Sequence, residues 1–445
     1  MIATYCVAAA LIRYFCALLL LGSFSFSFAA SVVDPTTYLS AIANAEPGSV
    51  IKLTPGIYYD GLPIVGLRGA STQPIVIEAA NPARPPRLLA RPRKNTVSIV
   101  NSSHVQIRNL VLDGRGLPVD AVKAEGHSRF AHHITLEGLR IINHGADQGN
   151  IGISTKCPAW GWIIRRNVII RAGTGMYLGN SDGSAPFFDG VIEHNLIFDT
   201  LGYNLQIKHQ HVRSPEADWT PGPHTTIIRH NVFSKYGNAA QGQAARPNVL
   251  VGHFPKEAHG VNDRYVVYGN FFYANSTEAL FQGEGNIALY ANLFVNPFGD
   301  AIHVQPHNDV PKNIWLFHNT VIASNVGIHL RGDTENYLRA LAGNVVFAAS
   351  PEAPRLEADN LIGEYAQANA YLNKPFASPG RLNLKIKSDI AVAKPATCAF
   401  FELFPDAGRD FEGIPYKACG VGAYERGSRP PRWNPNLAFK PNVQR

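Results

Sequence analysis

Apolar and polar residues alternate along this chain with a period of two, in runs of four or five residues rather than long stretches. Seven runs align by their second and fourth positions: GISTK (152–156), GMYLG (175–179), NLQIK (204–208), NVLVG (248–252), ALFQG (279–283), AIHVQ (301–305) and GIHLR (327–331). Those positions are mostly apolar, and period-two alternation turns them inward and their neighbours outward. A second pattern precedes these runs, an Asn beside an apolar triplet. It recurs at Asn109, Asn167, Asn195, Asn231, Asn270, Asn292, Asn319 and Asn344, with Gly138 standing in once. The intervals are 29, 29, 28, 36, 39, 22, 27 and 25 residues.

Short strands, polar turns and a fixed motif at this spacing predict a stacked solenoid. The L-x-x-L-x-L pattern of leucine-rich repeats is absent, and no 3.6-residue period supports helical repeats. The fold class expected is all-β, a single-domain right-handed parallel β-helix. Its asparagines would stack as a side-chain amide ladder. Residues 36–45 read as a short helix capping the open N-terminal end, where unpaired strand edges would otherwise be exposed. The expected organisation is a signal peptide over 1–30, the capped β-helix over 31–350, C-terminal coils over 351–426 and an extended tail over 427–445. In the C-terminal part, LNLKIKSDIAV and GVGAYER read as the last strands. The longer intervals before Asn231 and Asn270 place insertions, RSPEADWTPGPH and AAQGQAARPN, on what would be the binding side.

Composition agrees with turn-rich β structure: 46% hydrophobic, 16% charged, with 39 Gly and 31 Pro. At the N-terminus Arg13 precedes FCALLLLG and then SFSFAA, the order of a signal peptide cleaved near Ala29 or Ala30. The expected location is secreted or periplasmic, without stable membrane insertion and as a monomer. Removing that segment takes one base and no acid from a net charge of +7, which leaves +6. A basic exported protein suits an acidic polysaccharide. Nucleic acid is not expected, because the basic residues are not interleaved with a recognised binding motif. An oxidising compartment predicts a Cys398–Cys419 disulfide and leaves Cys157 as a buried thiol.

The outward positions of the aligned runs are Ser154, Tyr177, Gln206, Leu250, Phe281, His303 and His329, then Lys156, Gly179, Lys208, Gly252, Gly283, Gln305 and Arg331. His209 and His253 follow two of them. Stacked on one wall, these residues form a cationic strip with amides, imidazoles and aromatic rings beside it, and the glycines would keep its floor low. The wall predicts substrate contacts at Lys156, Tyr177, Gln206, His209, Phe281, Gln305, His329 and Arg331. His194, His230 and His318, each directly before a ladder Asn, read as turn packing. No pair of acids suits glycoside hydrolysis.

The stretch YLSAIANAEPGSVIKLTPGIYYDG…QPIVIEAANP resembles the N-terminal cap and first coils of chondroitinase B and the related alginate lyases. DFEGIPYKACGVGAYE (410–425) is similar to the closing motif of many proteins of that group. The resemblance implies a right-handed parallel β-helix. It implies chemistry by a Lys on one coil and an Arg on the next, often beside calcium, so calcium is the one cofactor it suggests. Lys208 stands where that Lys would be, and Gly252 and His253 stand where the Arg is expected. Arg213, in the following loop, is the arginine placed to reach back. No calcium-ligand cluster is evident in the sequence.

The implied reaction is β-elimination at a uronic acid. The carboxylate is neutralised, a base takes the C5 proton, and an acid protonates the leaving O4. Two assignments remain open. Lys208 is the base if neighbouring cations bring its pKa down from about 10.4. Otherwise Lys208 neutralises, and His253 or His303 is the base. Besides a polysaccharide lyase, the same reading admits a uronate epimerase or a glycoside hydrolase on this fold, or a non-catalytic glycan-binding surface protein.

Overall fold

The computed structural model describes residues 30–213, 219–332, 335–351, 359–392, 395, 403–427 and 429–442. Three long parallel sheets run the length of the molecule, with twelve, twelve and ten strands, and each coil adds one strand to each sheet in turn. The result is a right-handed parallel β-helix. A fourth sheet of four two-residue strands lies at the corner between the third and first sheets. Every coil buries its inward residues in one continuous core, from Val33 to Ala348.

The amide ladder forms, shifted from its expected start. Asn167, Asn195, Asn231, Asn270, Asn292, Asn319 and Asn344 are buried. Each side-chain amide donates to the next asparagine's oxygen at 2.9–3.1 Å, and Asn360 ends the series. Asn109 and Gly138 are not members. They belong to the preceding position, a left-handed turn also occupied by His194, His230 and His318. Leu110 and Leu139 hold the ladder place in those coils, each just before its strand. Asn and Gly both tolerate positive φ, so the two neighbouring columns look alike in sequence.

The N-terminal helix spans Tyr38–Ala43, shorter than expected. The Asp34 carboxylate accepts the backbone N–H groups of Thr36 and Thr37, which fixes a turn there instead of helix. Tyr38 and Ile42 are buried, and the Tyr38 hydroxyl donates to the Gly61 carbonyl at 2.8 Å. The outermost strand of the first sheet is Ser31–Val33, ahead of the helix.

At the other end the last coil strand among the described residues is Leu361–Gly363. Asn383–Ile386 pairs antiparallel with Leu372–Lys374, outside the stack. Residues 420–426 form no strand. Val421, Ala423 and Tyr424 instead pack with residues of the second sheet such as Val345 and Phe347. The tail is anchored at Lys440, which is buried and donates to the carbonyls of Gly269 and Phe411, both at 2.6 Å. Cys157 is a free, buried thiol. Cys419 is disulfide-bonded, while Cys398 and the proposed signal segment, up to residue 29, lie outside the described residues. Among the described residues no helix is long and apolar enough to cross a membrane.

Candidate functional site

The third sheet carries the predicted wall, and pairing confirms its register on six of the seven runs. Ser154 pairs with Tyr177, Tyr177 with Gln206, Gln206 with Leu250, and His303 with His329. The exception is 279–283. Phe281 pairs with Val249 and Ile302, both inward, and is fully buried, while Gln282 takes the outward place between Leu250 and His303. Phe281 is therefore a core residue and no substrate contact. In a sheet buried on one face, a one-residue slip exchanges inside for outside.

Two of the glycines do not lower a groove floor as expected. Gly283 lies in the inward column with Val251 and Val304. A Cβ on Gly252 would stand 2.3 Å from the His209 backbone nitrogen, so this glycine exists for close backbone approach.

A cleft of about 600 Å³ opens over the first part of this wall. Of the predicted residues it brings together Lys156, Tyr177, Gln206 and Lys208. It adds Asp120, Lys123, Gln148, Tyr203 and Arg246, which the sequence reading did not single out. Lys123 lies in the same outward column one coil earlier, paired with Ser154. Arg246 comes from the second insertion.

The charges in the cleft are unbalanced. Asp120 is the one carboxylate among the described lining residues, and Lys123 already pairs with it at 3.4 Å. Lys156, Lys208 and Arg246 have no carboxylate partner among the described residues. The Lys156 ammonium lies over the Tyr177 ring, 3.6 Å from its centroid. Burial, with help from Lys123 and Lys208, brings the Lys156 pKa down to about 8, although Asp120 pulls the other way. Burial also lowers Lys208, against the attraction of Glu284. The Tyr177 hydroxyl donates to Ser181 Oγ at 3.0 Å, and burial holds that phenol above its ordinary value. The Gln206 side-chain oxygen is buried with no hydrogen-bond partner among the described residues.

The other predicted residues fall elsewhere. His209 stacks on His253, ring centroids 5.4 Å apart, one coil beyond Lys208. Burial lowers the His209 pKa, as do Lys208 and His253. His253 Nδ1 shares a hydrogen bond with the Phe254 carbonyl at 3.0 Å. His303 is three coils from Lys208, about 14 Å at the spacing of parallel strands. Its Nε2 is bound to Asp300 at 3.0 Å. It therefore cannot act on the same sugar carbon as Lys208. Gln305, His329 and Arg331 lie on that distant stretch of wall, Arg331 exposed.

Arg213 does not reach the cleft. It is buried, packs over Phe188 at 4.0 Å, and forms a two-pronged pair with Asp263, the Nη2–Oδ1 arm being 3.2 Å. A guanidinium so held is a structural tie for its loop rather than a catalytic group.

Calcium takes six to eight oxygen ligands, and among the described lining residues the one carboxylate, Asp120, is engaged by Lys123. Among the described residues the one cluster with metal-ligand spacing is His104, His132 and His133, away from this cleft.

No protein-family model matches the sequence, and no curated protein does. Among solved structures the chain is similar to an alginate lyase from Paenibacillus sp. str. FPU-7, at 17% identity and a TM-score of 0.43 over 76% of this chain and 98% of that one. It is similar to the pectate lyase Pel9A at 11% and 0.48, over 90% and 97%. It is also similar to a GH136 lacto-N-biosidase from Eubacterium ramulus at 9% and 0.44, over 75% and 68%. At these identities none of the three says which side chains do what here.

Proposed function

We propose that this is an exported polysaccharide lyase that cleaves a uronate-containing glycan by β-elimination in the cleft over the third sheet. The observation that carries the reading is the set of three cations, Lys156, Lys208 and Arg246, gathered in one cleft without carboxylate partners among the described residues. Such a cleft attracts a polyanion and stabilises charge that develops on a uronate carboxylate. Export rests on the apolar segment ahead of Ala29.

In this reading Lys208 and Arg246 hold the carboxylate. Lys156, with its pKa near 8, is the base. It takes the C5 proton, the freed electron pair forms the C4–C5 double bond, and the C4–O4 bond breaks. The leaving O4 takes its proton from Tyr177, which burial keeps protonated. The Lys156 ammonium then loses its proton to solvent and the Tyr177 phenolate takes one back from solvent, which restores both groups. Gln206 offers its buried side-chain oxygen toward a sugar hydroxyl.

Purified protein incubated with alginate, pectate, chondroitin and bacterial exopolysaccharides, with and without calcium, tests this. The expected result is an ultraviolet-absorbing unsaturated product from at least one uronate polymer, without need of calcium, and its loss in Lys156→Ala. Changed uronate stereochemistry without cleavage would make the protein an epimerase. Binding without turnover on every polymer would reduce it to a glycan-binding protein.

A further inference from the structure

At the corner between the third and first sheets, two successive coils each place a histidine in the same left-handed turn, His104 and His133, both at φ 52°. His132, the residue before His133, completes a group whose ligand nitrogens all lie within 4.8 Å of one another. His132 Nδ1 and His133 Nδ1 are 2.7 Å apart, and the rings of His104 and His133 stack at 4.5 Å. His132 is also stacked on Trp160 at 4.4 Å, which fixes its plane.

We propose that His104, His132 and His133 bind a divalent transition-metal ion of the zinc class, with a fourth coordination position open to solvent. Three imidazoles are a donor set suited to such ions. Ligand nitrogens about 2.0–2.1 Å from a tetrahedral ion stand about 3.3 Å from one another. The two closest nitrogens, 2.7 Å apart, need to open by about 0.6 Å, and the third needs to close within the observed spacing.

The surroundings suit a bound ion. The same turn position in the next coil is Gly161, and a Cβ there would stand 2.9 Å from a His133 ring carbon. Glycine therefore leaves the His133 ring its place. His132 is buried, His104 half-buried and His133 exposed, so an ion would have a firm base and an open face. None of these residues lines the cleft described above, so the site stands apart from the proposed reaction.

Cobalt(II) titrated into untagged full-length protein, read by its visible absorption, tests the site, with zinc added in competition. One equivalent should produce the bands of a nitrogen-ligated low-symmetry ion, and zinc should abolish them. His104→Asn and His133→Asn, chosen because Asn accepts the left-handed backbone, should each weaken binding by at least about tenfold. Zinc should also protect His133 of the unmodified protein from diethyl pyrocarbonate, a reading that does not depend on how a variant folds. Absence of one-to-one binding, affinity unchanged in both variants, or no protection of His133 would each overturn the proposal and leave the three rings as a stacking column.

Discussion

The ammonium of Lys156 rests 3.6 Å from the centre of the Tyr177 ring on the following coil. The contact faces a cleft in which Lys208 and Arg246 also lack a carboxylate partner among the described residues. A ring face attracts the cation, but burial, Lys123 and Lys208 all favour the neutral amine, and the balance falls near pH 8. The proposed base works only when unprotonated, so the initial rate should rise with pH through about 8 and level off above it. Lys156→Arg keeps the positive charge but cannot release its proton near neutrality. It should lower kcat by about 10²–10⁴-fold with KM little changed. A pH–rate profile that is flat from 6 to 9, or an Arg variant with ordinary turnover, would remove Lys156 from the base role.

Arg213 and Asp263 lead to a prediction of another kind. Both are buried, and Asp263 also accepts the His224 backbone N–H at 2.9 Å. Asp263→Ala would strand a buried guanidinium, at a cost of about 3–5 kcal/mol. The loss should appear as a lower urea midpoint. Protein that remains folded in dilute buffer should keep its KM, since Arg213 does not line the cleft. A stable variant with a greatly raised KM would return Arg213 to the substrate site.

What the sequence revealed, and what it hid, follows from the range of each signal. Period-two alternation is local, so the wall from Tyr177 to Gln206 and from His303 to His329 is legible directly. It fails at ALFQG because Leu280 and Phe281 are both apolar, and either could be inward. Only stacking against Val249 and Ile302 decides the matter. The ladder column and the left-handed column are adjacent, and Asn109 and Gly138 satisfy the chemistry of the second. Lys123 was within reach, since extending the alignment one coil back brings it into the outward column. Arg213 was not, because its partner lies 50 residues away and no local pattern announces it. The imidazole cluster likewise needs one coil stacked on another before its third member appears.

The ladder itself can be tested at its middle. Asn231 accepts both the backbone N–H and the side-chain amide of Asn195 at 2.9 Å, and donates to Asn270 and to the Ile192 carbonyl. Asn231→Ala removes the acceptor for two buried donors and leaves a small cavity besides. The expected cost is about 2–4 kcal/mol. Thermal or denaturant unfolding measures it. A loss below about 0.5 kcal/mol would mean that the neighbouring coils close the gap and that the amides are replaceable.

The fold holds a buried lysine, Lys235, at a cost. Lys235 is buried, with no carboxylate paired to it among the described residues, and burial lowers its pKa to about 7. Its amine donates to the Arg246 carbonyl at 2.8 Å. In the unfolded chain the same amine titrates near 10.4. Between pH 7 and that value the unfolded state therefore binds the proton and the folded state does not. Stability accordingly rises with pH across this window, and this contribution is at its worst below pH 7. Lys235→Met fills similar space without the charge. The Arg246 carbonyl would still be satisfied, because Asn275 donates to it at 2.9 Å. The variant should be more stable than the parent at pH 6, by about 1 kcal/mol or more, and the gain should shrink toward pH 10. Paired unfolding curves at those two pH values measure the difference. A variant less stable at pH 6, or a gain that does not change with pH, would show that Lys235 keeps its proton in the fold and has a use there.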